Sequence, residues 1–105
     1  MQQPALNMDV MRTAADAACR LMKTLSNRNR LLLLCQMTQG EKCVGELETL
    51  VGIGQPTLSQ QLAVLRAEEL VATRREGKNI YYRISSSPTR AVMDVLYAQF
   101  RNEKK

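Results

Sequence analysis

Apolar positions recur at spacings of three and four residues from about residue 8 to residue 25, which predicts a helix with one apolar face. The positions are Met11, Ala15, Ala18, Met22 and Leu25. The segment SNRN interrupts this stripe, and Ser26 or Asn27 is a suitable N-cap for a second helix. That second helix runs through RLLLLCQM and stops by Gly40.

Two further helices follow, separated by a short glycine-containing turn. The segment VGELETLVG predicts a third helix that ends at Gly52. The fourth helix has Pro56 in its first turn, where no backbone donor is lost, and its pattern continues to about Glu69. Because only Gly52-Ile53-Gly54 joins them, helices three and four suit a helix-turn-helix.

The period changes from helical to alternating in VATRREGKNIYYRI. We expect a β-hairpin with strands at 71–76 and 80–84 and a turn at Glu76-Gly77-Lys78-Asn79. The segment SSSP then precedes a last helix from Pro88 to about Phe100. The order α-α-α-α-β-β-α predicts a mainly α fold, a winged helix-turn-helix with a β-hairpin wing.

The fourth helix has a leucine face and a polar face. Leu58, Leu62 and Leu65 fall within one narrow arc, and Gln60 lies almost opposite. No lysine or glutamate lies between Gln55 and Arg66, although such residues are typical of a merely solvated helix face. Glutamine, serine and threonine can bond base edges in the major groove. The predicted base-reading residues are Thr57, Ser59, Gln60 and Gln61, with Gln55 near a phosphate.

Cations cluster around the predicted hairpin turn. Arg74, Arg75 and Lys78 suit contacts with phosphates or the minor groove, and Arg83 lies beyond them. The alternative is that these charges protect an exposed hairpin edge from pairing with another chain. Arg28 and Arg30, at the start of the second helix, are two further candidates for phosphate contacts. Arg30 could equally be a structural residue paired with an acid.

The last helix predicts self-association. The segment AVMDVLYAQF is apolar almost all round, broken by Asp94 and Gln99, so it needs burial on more than one side. In a domain this small we expect a homodimer interface built from the first and last helices. Two recognition helices would then meet a palindromic operator with half-sites about 10 bp apart, or a multiple of that.

Composition and charge narrow the function classes. Residues 1–7 are polar and predict a flexible arm, and residues 8–103 form one domain. The net charge of +5 favours a polyanionic partner, although a well-solvated basic surface would give the same value. No secretory signal is visible, and the longest apolar run, Leu31 to Cys35, is too short to span a membrane, so we expect a cytoplasmic protein. With no histidine and no nucleophile–base pair at recognisable spacing, we expect no enzyme.

About residues 15–100 resemble the ArsR/SmtB family of winged-helix repressors. The segment LMKTLSNRNRLLLLCQM is similar to the family's Leu-Ser-His-Pro-x-Arg-Leu signature, with Asn27 and Arg28 in place of His-Pro. The segments VGELETLVGIGQPTLSQQLAVLR and RREGKNIYYRI resemble its helix-turn-helix and wing. The resemblance implies a homodimer that represses its own promoter and releases DNA when an inducer binds.

Within the family, LVGIGQPTLSQQLAVLR is similar to the biofilm-growth-associated repressor subgroup, which responds to sulfide-derived or oxidising species through two cysteines. The first of these matches Cys35, whereas Arg101 occupies the position implied for the second. On local chemistry Cys35 suits the core, Cys43 lies near a helix N-terminus where a thiolate is favoured, and Cys19 lies beside the stripe of the first helix. All three are candidate sensing thiols, and a purely structural role is equally open.

The metal sites of the family are not matched. Its thiolate box resembles Cys-x-Cys-Asp-Leu, but this chain has CVGEL, with Gly45 in place of the second thiolate. Its zinc site on the last helix needs histidine, which is missing here. We therefore expect no metal and no cofactor. A repressor of double-stranded DNA that responds to a non-thiol ligand or acts constitutively, and a winged helix that binds another protein, remain alternatives.

Overall fold

Helices dominate the structure, a computed structural model that describes residues 7–101. Residues 1–6 of the predicted arm and residues 102 and 103 of the predicted domain therefore lie outside the described residues. The elements are α1 (Met8–Leu25), α2 (Arg28–Met37), β1 (Lys42–Cys43), α3 (Val44–Val51), α4 (Thr57–Ala67), β2 (Val71–Glu76), β3 (Asn79–Ile84) and α5 (Ser87–Phe100).

Side-chain caps fix where several helices begin. Asn27 caps α2, because its side-chain oxygen accepts the backbone N–H of Arg30 at 3.0 Å. Ser26, the other N-cap candidate, instead follows α1 as its C-cap. Ser86 caps α5, and its hydroxyl oxygen accepts the Thr89 N–H at 3.2 Å. The predicted end of α4 is too late by two residues, since Glu69 takes a left-handed φ of 63° that a helix does not allow.

The sheet contains one strand more than the sequence pattern predicts. The hairpin of β2 and β3 is present, paired from Val71↔Ile84 to Glu76↔Asn79, so β3 begins one residue earlier than predicted. The short strand β1 adds antiparallel to β3, which gives the order β1-β3-β2. The predicted element order lacks β1 because a strand of two residues shows no period. Through β1, the segment before α3 is joined to the wing.

The core lies where α2 meets the helix-turn-helix. Leu58, Leu62 and Leu65 of α4 are all buried, as the narrow leucine arc predicts. They pack in one cluster with buried residues of α2, α3, the hairpin and α5. The members from those elements include Leu33, Leu34, Met37, Leu47, Val71, Ile84 and Met93. This cluster fixes which face of α4 is turned outwards.

Much of α1 and the outer face of α5 are exposed in the single chain. Residues 8–20 are exposed throughout, so the apolar stripe of α1 meets this cluster only near its end, at Leu21 and Leu25. On α5 the exposed fractions reach 60% for Val95 and 75% for Phe100. Within residues 7–101 no helix is long and apolar enough to cross a membrane.

Candidate nucleic-acid interface

The turn between α3 and α4 sets the polar face of α4 outwards. Gly52 ends α3 in the left-handed region, with φ 76°, which glycine adopts without a steric penalty. The buried leucines then anchor α4 from Thr57 onwards. On the opposite side Ser59 and Gln60 are exposed, and Thr57 and Gln61 are half-buried. The four predicted base-reading residues therefore do not share one environment.

Gln55 and Ser59 are bonded to each other at the start of α4. The side-chain oxygen of Gln55 accepts the backbone N–H of Ser59 at 3.2 Å and also accepts the Ser59 hydroxyl. The glutamine oxygen thus satisfies one of the donors that a helix N-terminus leaves unpaired. Its amide nitrogen keeps both hydrogens for an acceptor such as a phosphate oxygen. The contact of Gln55 with a phosphate stays a prediction.

Gln61 is held by α2. The Nη1 of Arg30 donates to Gln61 Oε1 at 2.9 Å, and the Arg30 Nε donates to the backbone carbonyl of Thr24 at 2.6 Å. Arg30 has the structural role considered from the sequence, but its partners are carbonyl oxygens and not the carboxylate expected there. The two residues lie 31 positions apart, so no local pattern in the sequence predicts the contact.

Gln60 is the predicted base reader whose amide is unengaged. It is exposed at the centre of the outward face, and its side chain makes no hydrogen bond to the residues between 7 and 101. A free amide offers a donor and an acceptor side by side, which is the pair that adenine needs in the major groove. The amide of Gln60 is therefore available for a bidentate contact, and that contact stays a prediction.

Arg74 is engaged by acids on the wing. Its guanidinium donates to Glu41, with Nε to Oε1 at 2.8 Å, and to Glu76 through Nη1 at 2.7 Å. It also lies over the ring of Tyr81, 4.7 Å from the ring centroid. The hydrogen bond from Arg74 lowers the pKa of Glu41 below the ordinary glutamate value. Arg74 therefore braces the wing against the segment before β1, and its predicted DNA contact competes with two carboxylates.

The other predicted phosphate contacts carry uncompensated charge. Arg75 lies near the end of β2, Lys78 lies in the turn after Gly77, and Arg28 opens α2. All three are exposed and make no ion pair within the described part of the chain. Free cations of this kind are suited to phosphate contacts, so the wing divides into one structural arginine and the available charges of Arg75 and Lys78.

The three cysteines are free thiols in different places. Cys19 is exposed on α1, and Cys35 is half-buried on α2 and packed against the core. Cys43 is half-buried at the N-cap of α3, where its backbone N–H donates to Glu46 Oε1 at 2.9 Å. This bond is the largest cause of a lowered pKa at Glu46. Among the described residues no group of three or more cysteine, histidine and acidic side chains could hold a metal.

A groove of about 720 Å³ lies where α1 and α5 approach the end of α4. Its floor is apolar, with Ala14, Leu21 and Val92 among the lining residues. Arg20 and Glu68 also line it and form an ion pair, Nε to Oε1 at 2.6 Å. This pair raises the pKa of Arg20 and lowers the pKa of Glu68. The groove is thus lined by residues of both terminal helices and of the segment that ends α4.

A leucine-anchored helix with an outward polar face, following a short turn and beside a basic hairpin, defines the class of winged helix-turn-helix proteins. Known proteins agree with this class. Residues 27–73 match the helix-turn-helix domain described as bacterial regulatory protein, arsR family. The chain is similar to the biofilm growth-associated repressor of Xylella fastidiosa (strain Temecula1), at 44% identity over 97% of this chain and 90% of that protein. It is 46% identical to the protein of the same name from Agrobacterium fabrum, over 89% of this chain and 80% of the relative.

Solved structures give the same result. The crystal structure of the transcriptional repressor BigR from Xylella fastidiosa matches with a TM-score of 0.84 at 44% identity, over 93% of this chain and 100% of that chain. Reduced HlyU from Vibrio cholerae matches with a TM-score of 0.84 at 35% identity, over 88% of this chain and 97% of that chain. The chain therefore belongs to the ArsR family of bacterial regulatory proteins. The predicted fold and the resemblance to biofilm-growth-associated repressors are confirmed.

Proposed function

We propose that this protein is a homodimeric transcriptional repressor that binds a palindromic operator through α4 and the wing. The observation that carries the proposal is the exposed, unengaged amide of Gln60 at the centre of a helix whose other face is fixed by buried leucines. The uncompensated charges of Arg75 and Lys78 supply phosphate contacts beside it. The names of the repressors that resemble this chain support the same activity.

The homodimer is supported by the exposed apolar faces of the terminal helices. Val10 and Met22 on α1 and Val95 and Phe100 on α5 are each at least 60% exposed in the single chain. Large apolar side chains exposed on both terminal helices favour association with another protein surface. The proposed dimer requires a two-fold axis that brings both copies of α4 to the same side of the assembly. Half-sites on DNA would then lie about 34–36 Å apart, or a multiple of that distance.

Release by a thiol reaction is the regulatory part of the proposal. Cys35 packs against the core beside the α2 residues that hold α4, so added bulk on its sulfur would disturb that packing. A thiolate can attack a polysulfide, which breaks one S–S bond, forms a persulfide and releases a polysulfide shorter by one sulfur. A second thiol can then attack that persulfide, which leaves one disulfide and releases hydrogen sulfide. Cys43 and Cys19 are the other thiols available within residues 7–101.

Fluorescence anisotropy on DNA from just upstream of the protein's own gene tests the whole proposal. Reduced protein should bind this duplex more tightly than a scrambled duplex, and polysulfide treatment should weaken the binding. Loss of the response in a Cys35→Ser variant would assign the sensing thiol. Tight binding that polysulfide leaves unchanged would refute release by a thiol reaction, and the proposed repressor function would stand. Equal binding to both duplexes would refute the repressor itself.

A further inference from the structure

Arg30 determines which end of the Gln61 amide is turned away from α2. A guanidinium has only N–H donors, so the group that faces Arg30 Nη1 at 2.9 Å must be the amide oxygen. Arg30 is itself fixed, because its Nε donates to the carbonyl of Thr24, a buried residue, at 2.6 Å. Its backbone N–H is also held, by the side chain of Asn27. The orientation of Gln61 therefore follows from chemistry and not from a choice between two equivalent placements.

We propose that Arg30 makes Gln61 a donor-only reader of the major groove, so that the two adjacent glutamines of α4 read different bases. The proposal rests on the proposed function, since it requires α4 to lie in the groove. Gln61 is only half-buried and is adjacent to Gln60 on the helix surface, at the edge of the outward face that is nearest to α2. Arg30 is then a positioning residue and Gln61 the group that touches the base.

The consequence for base choice follows from the hydrogen-bonding groups of each base. Gln60, free at both ends of its amide, can bond adenine in a bidentate way. Gln61, with its oxygen drawn against α2, presents its NH₂ group. Guanine, thymine and adenine each offer an acceptor to that group in the major groove, adenine through N7, whereas the edge of cytosine offers only a donor. At the base that faces Gln61 we therefore expect guanine, thymine or adenine and exclusion of cytosine.

Replacing Gln61 by glutamate gives the sharpest test, because it keeps the acceptor for Arg30 and removes the NH₂ donor that faces the base. In Gln61→Glu, one carboxylate oxygen still accepts from Arg30, so the link between α2 and α4 is retained. The second oxygen is an acceptor in place of the NH₂ donor. The preference should shift towards cytosine, which the wild type excludes, since a carboxylate accepts from the cytosine amino group.

The experiment is a selection from duplexes with a randomised centre, followed by sequencing of the bound fraction, for the wild type and three variants. Gln61→Glu should change the preference at one position of each half-site by on the order of fivefold to tenfold. Arg30→Met frees the Gln61 oxygen and should raise the share of adenine at that same position, because the amide can then bond adenine in a bidentate way. Gln60→Ala is the matched control and should relax a neighbouring position only. Thermal melting of each variant separates these changes from loss of fold.

The outcomes are distinguishable. A change of base preference at the position that responds to residue 61 supports the inference. If the base preference of Gln61→Glu equals that of the wild type at every position, Gln61 contacts no base and the inference is wrong. If Arg30→Met does not fold, the glutamate variant still decides. If the wild type enriches no sequence at all, the proposed function fails, independently of the roles given to Arg30 and Gln61.

Discussion

Replacing Arg75 by alanine should remove one phosphate contact from each protomer, whereas replacing its neighbour Arg74 should not. Arg75 is exposed and makes no ion pair among the described residues, so its charge is available to DNA. Arg74 donates to Glu41 and Glu76 and lies over Tyr81, so most of its charge is already compensated. The two arginines are adjacent on β2, which makes them a matched pair.

The size of the effect follows from counterion release. Each neutralised phosphate contributes about 0.9 to the slope of log K against log salt concentration, so a homodimer that loses two contacts changes its slope by about 1.8. Between about 50 and 200 mM salt, the wild type should lose about twelvefold more affinity than Arg75→Ala. For Arg74→Ala we expect less than half of this slope change, together with a lower melting temperature, because Glu41 and Glu76 lose their partner.

Anisotropy titrations at four or five salt concentrations, on one duplex and with all three proteins, measure these slopes directly. We also expect Arg75→Ala to weaken binding to every duplex by a similar factor, since phosphates carry no sequence information. Equal slope changes for the two variants would refute the division of the wing into structural and DNA-contacting arginines. A larger slope change for Arg74→Ala than for Arg75→Ala would mean that Arg74, and not Arg75, contacts the phosphates.

Three further predictions concern the core, the dimer and pH. Leu62→Ala, at a buried site, should lower the free energy of unfolding by about 2–5 kcal/mol in chemical denaturation. Phe100→Glu should shift the protein towards monomer in sedimentation velocity, because it places a charge on the exposed apolar face of α5; an unchanged sedimentation coefficient would contradict the proposed interface. Arg20 lowers the pKa of Glu68, so this pair stabilises the fold above the ordinary glutamate range, and the contribution is lost as the pH falls through the lowered pKa. Arg20→Met should therefore melt below the wild type at neutral pH, with the difference vanishing once the pH has fallen below the lowered pKa of Glu68.

Periodic features of the sequence were sufficient to predict most of the fold. The leucine arc of α4 predicts its buried face because burial depends on spacing along one helix. Asn27 could be named as one of two N-cap candidates because capping involves only the next turn of the chain. The apolar stripe of α1 was also predicted. The residues that pack against it were not, because the spacing of a stripe does not identify what covers it.

The roles of individual site residues depended on contacts that no periodicity encodes. Nothing in the sequence near Gln61 indicates that Arg30 holds its oxygen, and nothing near Arg74 indicates that Glu41 binds it. Both contacts join positions more than 30 residues apart. They form because α2 packs on α4 and because β1 pairs with β3, and β1 is too short to show a pattern. Residue types thus indicated the kind of surface, and tertiary packing determined which of its groups remain available.

The central claim is that α4 reads DNA through Gln60, and the loss of specificity in Gln60→Ala tests it most directly. The measured quantity is the ratio of dissociation constants for a scrambled duplex and for the upstream duplex, with Gln39→Ala, an exposed glutamine outside α4, as control. Loss of a bidentate contact should lower this ratio by a factor that corresponds to about 1–3 kcal/mol per half-site and should leave binding to the scrambled duplex unchanged. A ratio equal to that of the wild type, with the control also unchanged, would contradict the claim that α4 reads DNA through Gln60.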